Sequence, residues 1–291
     1  MTESVLRLMR LALFLLLSLF TFADSLRFTY VQREVVLERL HSCPRKDIDR
    51  EQRLQDYFSQ AGCRGPALTL DQPGHSKLGN VVCTLRGTSE QEIVVGAHFD
   101  HVERGAGAVD NWSGASLLPS LYQAVAAEPR RHTFVFVGFY GEERGLLGSA
   151  HYVHEVGKEK LTHIDAMVNM DTLGLGPTNT WTSHADPNLS KLAFALANAM
   201  KLPLSTMNVE RVGTTDSESF REKKVPSITF SSVTQATLPI LHTINDQLSQ
   251  IKEDEYYDSY RLLSAYLAYL DEAVPERKTP QAPPTTVTVA H

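Results

Sequence analysis

An excess of basic charge is the first thing this sequence lacks. With 28 Lys and Arg against 34 Asp and Glu, its net charge is −6. There is thus no electrostatic footprint for nucleic acid, and the imbalance is too mild to name a charged partner. No internal repeat is present. The 291 residues, 42% of them hydrophobic, suffice for one large core or a core with a small addition.

Cysteine is scarce, with only Cys43, Cys63 and Cys83. Cys43 and Cys63 flank a stretch, 47–62, that reads as a helix and would hold them ~24 Å apart, whereas a bridge tolerates ~7 Å. Cys83 lies in an apolar run, 80–85, and is expected as a small core residue. No disulfide is therefore expected. Cys83 also has no base beside it, which removes a thiol mechanism. A Gly-x-Ser-x-Gly elbow is missing, which weakens a serine hydrolase, and so is a His-Glu-x-x-His helix.

Long apolar runs are limited to Leu11–Phe22, behind Arg7 and Arg10. As a helix it would measure ~18 Å, short of the ~30 Å hydrocarbon core of a membrane. Thr21 and Ala23 suit a cleavage site, so residues 1–23 are expected to be a signal peptide. The alternative is an uncleaved membrane anchor. Either way the protein is expected to be exported, to the periplasm or beyond. The Pro- and Thr-rich tail 275–291 is expected to be disordered. That leaves 24–274 for one folded domain.

Within that domain, helical periodicity and punctuation predict helices over 29–42, 47–61, 113–127 (with Ser113 as its cap), 145–156, 188–201 and 255–273. Apolar, β-branched runs predict strands over 80–85, 93–97, 133–139, 164–170 and 225–230. The alternation predicts an α/β sandwich: a mostly parallel sheet with helices on both faces. His98, Glu142, Glu143 and Asp171 then fall at or just beyond the carboxyl ends of strands, where open α/β sheets place their sites.

Those residues belong to a wider set. His98 is followed by Asp100, which can hold the second ring nitrogen of a metal-bound imidazole. Asp110 opens Asp-Asn-Trp-Ser-Gly after a Gly-Ala-Gly-Ala run that lets the backbone approach closely. Its two oxygens can bridge cations ~3.5–4 Å apart. Glu142 and Glu143 are adjacent, so one can ligate while the other faces a water; Glu142 is expected as general base and acid, Glu143 as ligand. Asp171 and His242 complete the set, and Asp246 is expected to cap a turn rather than support His242. Two imidazoles with a surplus of carboxylates suit two zinc ions that share a carboxylate and activate a water; cobalt or manganese would fit the same ligands. The other histidines, His132 and the pair His151 and His154 among them, lack such a setting. Trp181, Phe220 and Phe230 are candidates for an apolar side-chain pocket, although core packing is the better expectation for them. Trp112 fits a pocket wall or a packing role equally well.

The motifs Ala97-His98-Phe99-Asp100, Val109-Asp110-Asn111-Trp112-Ser113-Gly114, Gly141-Glu142-Glu143-Arg144-Gly145, Asn169-Met170-Asp171 and Leu241-His242-Thr243 resemble those of the secreted di-zinc exopeptidases, the aminopeptidase Y and bacterial leucyl aminopeptidase type. The likeness covers roughly 30–272. It implies a single α/β domain with a central mixed sheet. It implies that Asp110 bridges two zinc ions, one also held by Glu143 and His242, the other by His98 and Asp171. Asp100 would orient His98, and Glu142 would take the proton of the bridging water. Peptides with a free N-terminus are the implied substrates. The short, glycine-rich segment between His98 and Asp110 departs from many members and implies a more open rim.

Two alternatives stand beside this reading. A glutaminyl-peptide cyclotransferase shares the fold and resembles this chain at Asp110, Glu142, Glu143 and His242, with one zinc. A non-catalytic receptor-like module would typically have lost ligands, and none is missing here. A membrane contact is implied only if the N-terminal segment stays attached.

Overall fold

The computed structural model describes residues 26–208, 213–275 and 277; the expected signal peptide lies outside them. In chain order the main elements are α1 (Arg33–His41), α2 (Asp47–Ala61), β1 (Leu68–Asp71), β2 (Asn80–Leu85), β3 (Glu92–His98), α3 (Leu118–Ala126), β4 (Thr133–Phe139), α4 (Leu147–Leu161), β5 (Ile164–Met170), β6 (Asn179–Trp181), α5 (Pro187–Met200), β7 (Ser205–Met207), α6 (Ser217–Arg221), β8 (Ser227–Ser231) and α7 (Glu253–Ala273).

The strands form one eight-stranded sheet, ordered β1-β2-β4-β3-β5-β8-β6-β7. The pairs β3–β4, β3–β5, β5–β8 and β6–β7 are parallel, while β1–β2, β2–β4 and β6–β8 are antiparallel. The expected mixed, mostly parallel sheet is what is found. Side chains of the central strands alternate between two buried layers. Ile93, Val95, Phe134 and Phe136 join the core with α1, α2, α3, α5 and α7. Val94, Val135, Val137 and Phe139 face the other way, against α4 and α6. This period-2 alternation, with both faces apolar, is why these strands read as continuous hydrophobic runs.

Local signals set the helix ends. Asp47 and Asp49 stand in the first turn of α2, and Gly62 closes it in the left-handed region at φ 105°, as the dipole and the glycine stop require. The Asp186 side chain accepts from the Asn188 and Leu189 amides to cap α5. Ser113 does not cap. Its hydroxyl donates to the Val109 carbonyl and accepts from the Leu173 amide, and the expected helix 113–127 is split by a turn at 116–117. The short strands β1, β6 and β7 and the one-and-a-half-turn α6 were not expected. They carry too few apolar positions to show a period.

The disulfide expectation is overturned. Cys63 and Cys83 are bonded, with Cα atoms 6.2 Å apart. Helix α2 does separate Cys43 from Cys63, but its C-terminal end packs on the sheet beside β2, which brings Cys63 to Cys83. Cys43 is the free thiol. Arg277, inside the segment expected to lack order, is bonded: its amide donates to Asp165 and its guanidinium to the Leu161 and Ile164 carbonyls. The rest of the tail beyond Pro275 lies outside the described residues. Among the described residues, no helix is long and apolar enough to cross a membrane.

Candidate metal centre

The parallel strands deliver the site. His98 ends β3, Glu142 and Glu143 follow β4 by one turn, and Asp171 follows β5 directly. Loops bring Asp110 and His242 over these strand ends. His98 Nε2 lies 3.3 Å from Asp110 Oδ1 and 3.9 Å from Asp171 Oδ1. His242 Nε2 lies 3.0 Å from Asp110 Oδ2 and 3.2 Å from Glu143 Oε2. Asp110 thus turns one oxygen toward each imidazole. Two clusters emerge, His98 with Glu142 and Asp171, and Asp110 with Glu143 and His242, each with its candidate ligand atoms within 4.8 Å of one another.

Asp100 has two tasks. His98 Nδ1 lies 3.2 Å from the Asp100 carbonyl and 3.6 Å from its Oδ1, which leaves Nε2 facing the cluster. The carboxylate itself accepts from the Glu142 and Glu143 amides at 3.1 and 3.3 Å. It therefore fixes the glutamate turn as well as the histidine. Asp246 neither supports His242 nor caps a turn of its own. It accepts from the Val109 and Asp110 amides at 2.7 and 3.3 Å, holding the bridge-like carboxylate from behind. The Asp110–Asn111 peptide is cis, and Asn111 Oδ1 accepts from the Gly114 and Thr172 amides.

The electrostatics are those of a site short of positive charge. Hydrogen bonds donated to the Asp110 and Glu143 carboxylates push His242 up to about 10. Burial presses His98 down, yet Glu142 and the bonded Asp100, Asp110 and Asp171 outweigh it and hold it well above its ordinary value. Burial works to raise Asp110, but His242 and His98 outweigh it and leave the carboxyl far below its usual range. Glu142 goes the other way. Burial, together with Asp216, Asp171 and Asp110, lifts it to about 9 against the pull of His98. Glu143 Oε1 is buried with no hydrogen-bond partner. Such an orphan costs free energy unless something positive meets it.

The reading of the sequence missed several residues here. Thr215 donates to Asp171 Oδ2 at 2.6 Å and also accepts from Asn169. Asp216 is fully buried, neither of its oxygens has a hydrogen-bond partner, and burial with the nearby Asp100 and Asp171 lifts it to about 7. Both sit at the start of α6, a segment without periodicity and far in sequence from the other acids. Arg50, on the expected helix α2, was missed because its partners are loop carbonyls 49 to 57 residues further along the chain.

A cavity of about 340 Å³ opens on His98, Asp110, Glu142, Asp171 and His242. The rest of its lining is largely apolar: Trp181, Met207, Val233, Leu238 and Leu241, beside Thr172, Gly213 and Thr214. Trp181 is therefore a wall residue, whereas Phe220 and Phe230 are fully buried core. Trp112 is also core. Its Nε1 donates to the Arg39 carbonyl, and its ring lies under Arg50. His151 pairs with Asp71 and His154 with Glu155, both away from the cavity.

Peptidase family M28 matches residues 80–267. The chain belongs to that family. A curated relative, aminopeptidase YwaD of Bacillus subtilis, is 26% identical over 200 residues, 65% of this chain and 42% of its own length. The chain thus spans less than half of that relative. Among solved structures, the LapA aminopeptidase of Legionella pneumophila superposes with a TM-score of 0.75 at 22% identity, over 84% of this chain and 73% of its own. BSAP, a zinc aminopeptidase from Bacillus subtilis, gives 0.59 at 24%, over 65% and 49%. A glutaminyl cyclase from Fimbriiglobus ruber gives 0.67 at 16%, over 83% and 97%. The M28 fold is common to these neighbours.

Proposed function

We propose that this protein is a two-zinc aminopeptidase that removes the first residue of peptides with a free N-terminus. The observation that carries the reading is Asp110, with one oxygen on the His98 side and the other on the His242 side. The donor set fits two ions: imidazoles and carboxylates in two groups, a surplus of acids, and a buried Glu143 oxygen without a partner. Asp110, Glu143 and His242 would hold one zinc, and Asp110, His98 and Asp171 the other. Bound zinc supplies Lewis acidity, which polarises a carbonyl and brings the pKa of a coordinated water to about 7.

The chain's own residues do the rest. Glu142 takes a proton from the attacking water and passes it to the leaving amine. In the ion-free site burial, with its acidic neighbours, raises its carboxyl, and cations beside it would act in the opposite direction. Asp100 keeps His98 and the Glu142 turn in place. The surplus carboxylates favour a substrate ammonium group, which confines cleavage to the first residue. The wall of Trp181, Met207, Val233, Leu238 and Leu241 favours an apolar first side chain.

The Cys63–Cys83 bond supports the export expected from the N-terminal segment, since such bonds persist in oxidising compartments.

A screen of aminoacyl reporters tests the reading. Unblocked leucyl and phenylalanyl reporters should be cleaved, N-acetylated ones spared, and a chelator should stop the reaction. A second reading has support in the glutaminyl cyclase neighbour. An N-terminal glutamine peptide separates the two: ring closure without release of the residue would replace the peptidase reading with a cyclotransferase using one zinc.

A further inference from the structure

The loop between His98 and Asp110 has little to hold itself in shape. Its centre is Gly105-Ala106-Gly107-Ala108, a run with high backbone freedom and a large entropy cost on ordering. Yet it must present Asp110 to two imidazoles at 3.3 and 3.0 Å. Asp47 pairs with His101 on one limb and the Cys43 thiol reaches the Ala106 carbonyl, and two further side chains grip the loop from opposite sides.

From α2, Arg50 enters the core with no exposed surface. Its Nη1 donates to the Phe99 carbonyl, one residue past His98, at 2.9 Å. Its Nη2 donates to the Ala106 carbonyl and, at 3.1 Å, to that of Gly107. Nε anchors the fork to the Pro44 carbonyl at 2.8 Å. The guanidinium lies over the Trp112 ring at 5.7 Å. Only a planar, multi-donor group can reach carbonyls on both limbs of the loop at once.

Asp246, also buried, takes the other side. Its carboxylate receives the Val109 and Asp110 amides, and its backbone carbonyl receives the Ala106 amide at 2.8 Å. The carbonyls of the loop are thus held by a cation and its amides by an anion. The fit is close on both sides. A Cβ on Gly105 would lie 2.5 Å from the Thr243 carbonyl, and one on Gly107 would lie 2.3 Å from His101 Cβ and 2.8 Å from Arg50 Nη2. Because Asp246 stands four residues after His242, the same contact fixes Asp110 relative to its second imidazole.

We propose that Arg50 and Asp246 are positioning residues that preset the 99–110 loop, and with it Asp110, before any ion binds. The inference rests on the zinc reading above for its purpose, but its geometry belongs to the ion-free chain.

Arg50→Lys and Asp246→Asn test it by two readouts other than activity. In the first, zinc affinity of the folded, ion-free protein is measured by competition with a chromophoric chelator. Both variants should bind zinc about 10–100-fold more weakly, the usual effect of losing a group that orients a ligand, and saturating zinc should restore part of the turnover. In the second, amide exchange is followed in the ion-free protein. Val109 and Asp110 should be protected in the unaltered chain and exchange faster in Asp246→Asn. Asp165→Asn, at the far end of the sheet, is the control: it should lose stability while the folded protein keeps its zinc affinity. Unchanged affinity in folded Arg50→Lys or Asp246→Asn overturns the proposal. If neither variant folds, the unaltered chain decides: unprotected Val109 and Asp110 amides in its ion-free form would equally end it. An unaltered chain that binds no zinc instead ends the metal reading, and amide exchange then judges the clamp alone.

Discussion

Two buried histidines, each flanked by aspartates, sit at opposite ends of the same parallel strands. His98 stands at the carboxyl end of β3, beside Asp100, Asp110 and Asp171. His132 stands just before the amino end of β4, with Nδ1 3.1 Å from Asp271 and Nε2 3.2 Å from Asp165. The residue types match, but the accounting of their polar atoms does not. Around His132, Asp165 also accepts from the Arg277 amide, and Asp271 from the Arg131 and His132 amides. Acids, imidazole and backbone donors balance, and the cluster ties α7 and the chain beyond it to β4 and β5. Around His98 there are more carboxylates than cations, three carboxylate oxygens (one of Glu143, both of Asp216) have no hydrogen-bond partner, and a cavity opens on the group. A balanced histidine is a clamp; one with surplus acid and access is a place for an ion. His132 was expected to lack a metal-ligand setting, and among the described residues it belongs to neither candidate metal group; its two aspartates come from far along the chain and make a structural cluster instead.

The comparison can be broken at either end. The largest effect belongs to Asp110→Ala, which should lose zinc and turnover together; two zincs retained in that variant would refute the bridge. Glu142→Gln should lower kcat by about 10²–10⁴-fold, the usual share of a general base, with zinc content unchanged. Normal turnover there removes Glu142 from its role. At the other end, His132→Leu leaves two buried carboxylates without their cation. It should cost about 3–5 kcal/mol in denaturant unfolding while zinc per folded chain stays the same. A drop in zinc content would show that the two ends are not independent.

The smallest effect is a pH dependence. Burial opposes the His132 charge, but bonds to Asp165 and Asp271 outweigh it and raise its pKa above 6.5. Its contribution is therefore complete below 6.5 and fades as pH rises through the raised value. Asp271 is lowered: burial acts to raise it, and His132 with the backbone amides wins. Its contribution holds above 3.8 and fades as pH falls through the depressed value. Stability of the ion-free protein should decline above pH 6.5, by about 1.4 kcal/mol per unit of pKa difference. His132→Leu should flatten that limb, and an equally steep limb in the variant would detach it from His132.

The fold was legible where runs were long. Strands 80–85, 133–139 and 164–170 fall where the sequence places them, because both faces of the sheet are covered and the runs are uninterrupted. His98, Asp110, Glu142, Glu143, Asp171 and His242 were legible as a set because their motifs recur in a known order, and the structure brings them together. What hid was long-range and polar. Arg50, Thr215, Asp216 and the Asp246 contact depend on loops folding back across the site. The Cys63–Cys83 bond depends on where a helix end lands. None of these leaves a period in the sequence.

Zinc stoichiometry tests the central claim most directly. Protein purified without chelator and analysed by atomic emission should carry two zinc ions per chain. Dialysis against a chelator should remove both ions together with cleavage of a leucyl reporter, and returning zinc should restore it. Protein that holds no zinc, takes up none when it is added and cleaves the reporter regardless would contradict the account.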